Sequence, residues 1–415
     1  MSVIRNSIWN IAGYIIPAII TIPALGILGR VLGAEIFGVF TLAMAIVGYA
    51  SIFDVGLSRA VIREVSIFRD DTEEKQRIIF TSSLLVIIMG LIASSILYIF
   101  SNEITNLLKI SQDKYLHVVH SMGILALSIP IFLVTQIWLA VLEGEERFAI
   151  LNVYKSITGS LLSLLPVIFI YFVPSLESAI WGLVFSRICC LIAAFYLCRK
   201  IIINSLLKFS LTTLKRLLMF GGWITVSNII SPIMAYFDRF IVSNQLGASV
   251  VAFYTAPAEI IARLGIIPGA FARAIFPRLS ASNIAIDRKK NKRIISLILL
   301  VVTLPILLLG TLLGDKFMTI WMGDSFSGVP SIILTILLVG FVFNSLAQIP
   351  FASIQSRGFA KITAYIHMFE LVPYLLMLYF FIKHYGIMGA AFAWSIRMFV
   401  DYLILSIVDK SIDRR

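Results

Sequence analysis

The chain has 415 residues, 60% of them hydrophobic and 13% charged, with a mean hydropathy of +0.99. A soluble domain carries about a quarter charged residues, so this composition excludes an ordinary water-soluble protein. The net charge of +12 sits mostly in loops between apolar runs, where it meets anionic lipid headgroups, and it does not call for nucleic acid.

Apolar runs of about 20 residues cross a bilayer as helices. In chain order, hydropathy predicts twelve spans: 7–29, 36–58, 78–100, 117–142, 151–173, 178–198, 220–243, 250–277, 294–313, 330–352, 362–382 and 387–408. The first follows a single basic residue, Arg5, and is longer than the core of a cleaved signal peptide, so it reads as an uncleaved span. No connection is long enough to hold a folded domain. Cys189, Cys190 and Cys198 all fall in or at the end of the sixth span. An odd number of thiols in lipid indicates neither a disulfide framework nor a metal cage.

Twenty-two Lys and Arg residues lie in the set of loops that includes both termini, against five in the opposite set. That bias predicts both termini in the cytoplasm. Sliding the chain by 214 positions sets Trp9 on Trp223, and LGAEIFGVFTLAMAI (32–46) on LGASVVAFYTAPAEI (246–260). The match predicts two six-span halves, 1–205 and 206–415, with a substrate path between them. Pro17, Pro23, Pro232, Pro257 and Pro268 fit either moving, kinked helices or the ordinary frequency of proline in membrane helices. GRVLG (29–33), GIIPG (265–269) and GTLLG (310–314) fit close helix packing.

Seven bases remain inside the spans: Arg59, Lys155, Arg187, Arg239, Arg263, Arg273 and Arg397. Five acids join them: Asp54, Asp238, Glu259, Glu370 and Asp401. Each costs about 3 kcal/mol at a helix centre, so each needs a partner, water or a purpose. Glu259 with Arg263, and Arg397 with Asp401, are four apart and can neutralise each other on one helix face. Asp54 and Arg59 lie near the cytoplasmic end of span two, and Lys155 is close enough to its helix end to snorkel. Asp238 adjoins Arg239 and therefore points about 100° away from it.

Arg187, Arg239 and Arg273 have no opposite charge at helical spacing. They are either structural partners of acids on other helices or groups that bind a ligand. The excess of bases predicts a path that prefers anions. A guanidinium grips phosphate through paired donors and stays charged at any depth. A diphosphate headgroup fits this chemistry, with Arg187, Arg263, Arg273 and Arg239 as its candidate ligands. Glu370, three residues before Pro373, reads either as a coupling acid or as a buried hydrogen-bonded one. His117 and His120 read as interfacial packing or proton sensing. The sequence has no Walker loop, no GxGxxG after a strand, no HExxH and no DxD-type carboxylate cluster. It therefore predicts no catalytic residue, metal or cofactor, and a drive from an H+ or Na+ gradient or from the substrate's own gradient.

The stretch NSIWNIAGYIIPAIITIPALGILGRVLGAEIFGVFTLAMAIVGYASIFDVGLSRA (6–60) resembles the opening of bacterial polysaccharide-biosynthesis flippases. These are the Wzx-type O-antigen translocases of the multidrug/oligosaccharidyl-lipid/polysaccharide exporter superfamily. DRFIVSNQLGASVVAFYTAPAEI (238–260), IPGAFARAIFPRLS (267–280), VPSLESAIWG (173–182) and KHYGIMGAAFAW (383–394) are similar to later segments of that family.

The resemblance implies an all-α, V-shaped bundle around a central cationic cavity, in the bacterial inner membrane. It implies movement of undecaprenyl-diphosphate-linked oligosaccharide from the cytoplasmic to the periplasmic leaflet, alongside membrane lipids and other polysaccharide-assembly proteins. Asp238 and Arg239 match a recurring Asp-Arg of span seven, and Arg263 and Arg273 match basic positions of span eight. The length argues against the lipid II flippases, which usually carry two further spans. Two alternatives stand beside this reading: an ion-coupled multidrug exporter, which calls for an acid-rich cavity, and a polysaccharide polymerase, which calls for a large external loop or a carboxylate site.

Overall fold

The computed structural model describes residues 2–272 and 285–413. Side chains are described within those ranges except at 2–15, 223–232, 235, 285–291, 360 and 413. Among the described residues every regular element is a helix.

The first, α1 (Ser2–Tyr49), contains 48 residues. A straight helix of that length would be about 72 Å long, more than twice the hydrocarbon core of a bilayer. The chain divides it at Gly33, whose φ of 74° and ψ of 166° lie outside the helical region. A side chain is strained at such a φ and glycine is not. Nothing lies within 4 Å of where its Cβ would stand, so Gly33 serves a turn between the two predicted spans and not the close packing expected of GRVLG. Packing does occur in GTLLG, where a Cβ on Gly310 would collide with the Leu338 side chain.

A short 3-10 turn (Ala50–Asp54) leads into α2 (Leu57–Ile67). Next come α3 (Thr72–Ile99), α4 (Ser101–Leu107), α5 (Tyr115–Ala126), α6 (Ser128–Gly144), α7 (Phe148–Phe172) and α8 (Leu176–Ser205). Asp71 starts α3 by accepting from the Glu74 N–H at 3.0 Å, and Ser175 starts α8 by accepting from the Ser178 N–H at 3.1 Å. Such caps satisfy N–H groups that the first turn leaves open. After α9 (Leu211–Leu246) and α10 (Ala248–Leu264), the chain continues as α11 (Ala285–Met322), α12 (Val329–Ser356), α13 (Ala360–Tyr385) and α14 (Ile387–Asp413).

Ten segments among the described residues are long and apolar enough to cross a membrane. One of them, Ile16–Asp54, carries the first two predicted spans across the Gly33 break. The predicted seventh span lies within α9. The count therefore accords with about twelve transmembrane helices.

The chain forms two compact units, Met1–Phe237 and Asp238–Arg415, with the boundary inside α9. In the first, α1 packs on α7, α3 on α6, and α7 on α8; Phe37, Phe40 and Leu42 are fully buried. Gly56, at φ 69°, meets the Gly221 carbonyl so closely that a Cβ would stand 2.3 Å from the oxygen. In the second unit, α12 packs against α10, α11 and α14, with Phe341 fully buried. Apolar side chains such as Val301 and Leu312 on α11 are exposed, as expected of a surface that faces lipid.

Candidate functional site

Eight of the twelve charges inside the predicted spans lie in three places. The first lies in the second unit, where α9 and α10 meet. Tyr254 on α10 donates its hydroxyl hydrogen to Asp238 Oδ2, and the Arg239 N–H donates to Asp238 Oδ1 at 2.8 Å. The Arg239 side chain turns elsewhere, and its Nη2 donates to Glu259 Oε1 at 2.7 Å. Arg263 Nη2 donates to the other oxygen, Oε2, at 3.2 Å. The adjacent acid and base thus serve different partners, as their 100° offset requires.

One carboxylate between two guanidiniums leaves donors over. The Arg239 side chain is 6% exposed, whereas that of Arg263 is 33% exposed. Arg263 Nε is buried and makes no hydrogen bond. Arg239 is therefore the structural partner of Glu259. Arg263 is only partly engaged and has donors to spare. The expected Glu259–Arg263 pair is present, and the sequence reading missed only that Arg239 shares it. Arg273 lies outside the described residues.

The second place is in the first unit, on α8. The Arg187 guanidinium lies 4.5 Å from the centroid of the Phe132 ring on α6. Its Nε is buried without a hydrogen bond, and among the described residues no carboxylate pairs with it. Beside it the Tyr154 hydroxyl donates to the Cys190 carbonyl at 2.8 Å. A cation held by an aromatic face and not by an acid retains its donors for a ligand.

The third place is between α13 and α14 in the second unit. The Arg397 guanidinium stands 4.9 Å from the Tyr374 ring centroid. Asp401 Oδ1 lies 3.6 Å from His367 Nε2, and Glu370 joins them. His367, which the sequence reading passed over, is stacked on Phe351 with an interplanar angle of 8°. Its signal was present: His367 and Glu370 are three apart, on one face of a helix.

Asp54 and Arg59 do not form a pair. The Asp54 carboxylate accepts from the Ser58 N–H at 3.2 Å and from the Ser58 hydroxyl at 3.0 Å. Arg59 is exposed. Asp54 closes the entry to α2 because a short acid can satisfy the open N–H groups of a helix start.

Two further ion clusters involve cations that the sequence reading took as topology markers. Arg216 binds both Glu64 and Glu74, the latter at 2.6 Å, tying α9 to α2 and α3. Lys292, at 2.6 Å, and Arg357 both bind the buried Asp409 of α14. They hold each unit together at helix ends.

Residues 3–283 match the family described as Polysaccharide biosynthesis protein. A putative O-antigen transporter from Shigella flexneri is 48% identical over 405 residues, covering 98% of this chain and 97% of its own. Among solved structures, an inward-facing multidrug resistance MATE family transporter of the MOP superfamily superposes with a TM-score of 0.81 at 19% identity, over 98% of each chain. The lipid II flippase MurJ in its inward closed conformation superposes with a TM-score of 0.77 at 18% identity, over 97% of this chain and 87% of its own. At those identities the two structures speak for the fold.

Proposed function

Because the chain belongs to the family of polysaccharide biosynthesis proteins, we propose that it is a flippase for an undecaprenyl-diphosphate-linked oligosaccharide such as an O-antigen repeat unit. In this reading it lies in the bacterial inner membrane with both termini in the cytoplasm. It works beside other polysaccharide-assembly proteins, by alternating access, and carries its substrate from the cytoplasmic to the periplasmic leaflet. An H+ or Na+ gradient, or the gradient of the substrate itself, supplies the drive.

The observation that carries this reading is the incomplete neutralisation of the intramembrane arginines. Among the described residues, Arg187 is held by an aromatic ring and pairs with no acid, and Arg263 shares the Glu259 carboxylate with Arg239. A charged group costs too much in lipid to be kept idle. Guanidinium donors that are not consumed by acids suit a diphosphate, whose oxygens accept paired charge-assisted bonds. Arg273 belongs to the same set by its sequence. The apolar tail stays in lipid, so only the polar head needs a path through protein.

The test is complementation. In a strain lacking the protein, Arg187→Ala and Arg263→Ala, each present at wild-type levels, are expected to restore little surface polysaccharide. Full restoration by both variants would remove the diphosphate role from these residues.

A further inference from the structure

His367, Glu370 and Asp401 offer one ring nitrogen and two carboxylates, with ligand atoms that all lie within 4.8 Å of one another. Glu370 and Asp401 are 9% and 7% exposed. Among the described residues no N–H or hydroxyl donates to either oxygen of Glu370 or to Oδ1 of Asp401; the two carboxyl groups lie within hydrogen-bond reach of each other. Two buried carboxyl groups facing each other must share a proton or hold a cation between them, so the cluster is open to a metal ion. Arg397, held over Tyr374, and Glu370 line the same cavity of ≈ 500 Å³ between α13 and α14. Glu370 thus shares the cavity with a fixed cation while Asp401 adds a second acid beside it, and the deficit is of the sign that a metal ion fills.

We propose that the second unit binds a divalent transition-metal ion through His367, Glu370 and Asp401. The inference is separate from the flippase reading and stands or falls without it. The donor set selects the class of ion. Na+, Mg2+ and Ca2+ favour all-oxygen sites, whereas imidazole with carboxylates suits zinc and its first-row neighbours. Ligands bonded at about 2.1 Å to one ion stand about 3–3.5 Å apart. Binding therefore draws the three atoms together by about an ångström, within reach of side-chain rotation. Phe351, stacked on the His367 ring, fixes the plane in which Nε2 points, as outer groups do for metal-bound histidines.

The experiment uses the full chain, purified in detergent and stripped with chelator, titrated with Zn2+ by calorimetry and with Co2+ by visible absorption. The protein is expected to take one Zn2+. Glu370→Gln and Asp401→Asn, each shown to be folded by its thermal transition, are expected to bind about tenfold or more weakly. His117→Ala/His120→Ala/His384→Ala, which removes the other three histidines, is expected to bind like wild type. The absence of saturable binding by folded wild-type protein would overturn the proposal. So would unchanged binding in both acid variants, loss of binding in the triple-histidine variant, or a Co2+ spectrum with thiolate charge-transfer bands.

Discussion

Arg239 Nη2 and Glu259 Oε1 lie 2.7 Å apart across twenty positions of sequence, joining the end of α9 to the middle of α10. This ion pair is the reason a base adjoining an acid is tolerated in so apolar a chain. Arg263 approaches the same carboxylate from the next turn of α10.

Glu259→Gln leaves two guanidiniums facing a neutral amide in a buried setting. The expected loss is about 3–5 kcal/mol of stability, read as an earlier thermal transition in detergent. Combining it with Arg239→Gln is expected to recover part of that loss, because the double variant no longer buries an uncompensated charge beside the amide. A double variant as unstable as the sum of the singles would show that the two residues are not coupled.

Arg263→Ala is a different experiment, since Arg239 still neutralises Glu259. Protein level and thermal transition are expected to stay close to wild type, while transport falls about tenfold or more, the cost of losing charge-assisted bonds to phosphate. Arg263→Lys is expected to recover only part, because an ammonium lacks the paired donors. A lowered thermal transition in Arg263→Ala would instead give this residue a structural role.

Gly56→Ala adds a Cβ at positive φ and 2.3 Å from the Gly221 carbonyl oxygen. A loss of about 2–4 kcal/mol is expected, seen as reduced folded yield on size-exclusion chromatography. The same change at Gly33, where nothing lies within 4 Å, carries only the backbone strain of about 1–3 kcal/mol.

Asp54 and Arg59 are expected to behave independently. Asp54→Ala removes the acceptor for the Ser58 N–H and should cost about 1–2 kcal/mol. Arg59→Ala, on an exposed side chain, should stay within about 0.5 kcal/mol. Equal losses in the two thermal transitions would show instead that the two residues act together.

The spans and the charges inside them were legible because hydropathy and helical spacing are local properties. Glu259–Arg263, four apart, was legible for the same reason. Arg239–Glu259 was not, because a contact between two helices depends on how they are rotated, which no periodicity within either one records. Arg216, Lys292 and Arg357 were read as cations beside lipid headgroups, yet Glu64, Glu74 and Asp409 await them on helices distant in sequence. Charge counts give the side of the membrane and not the partner. Gly33 looked like a packing residue because small-residue spacing is shared by packing and turns; its φ decides between them. His367 stood in plain view three positions from Glu370, but one histidine and one acid reveal nothing until Asp401 arrives from α14.

The central claim is that this protein moves a lipid-linked oligosaccharide between leaflets. The most direct measurement is the leaflet distribution of that lipid in spheroplasts lacking the protein, with wild type or Arg263→Ala restored. Accumulation on the cytoplasmic face, relieved by wild type and not by the variant, is the predicted result. An unchanged distribution in the absence of the protein would contradict it.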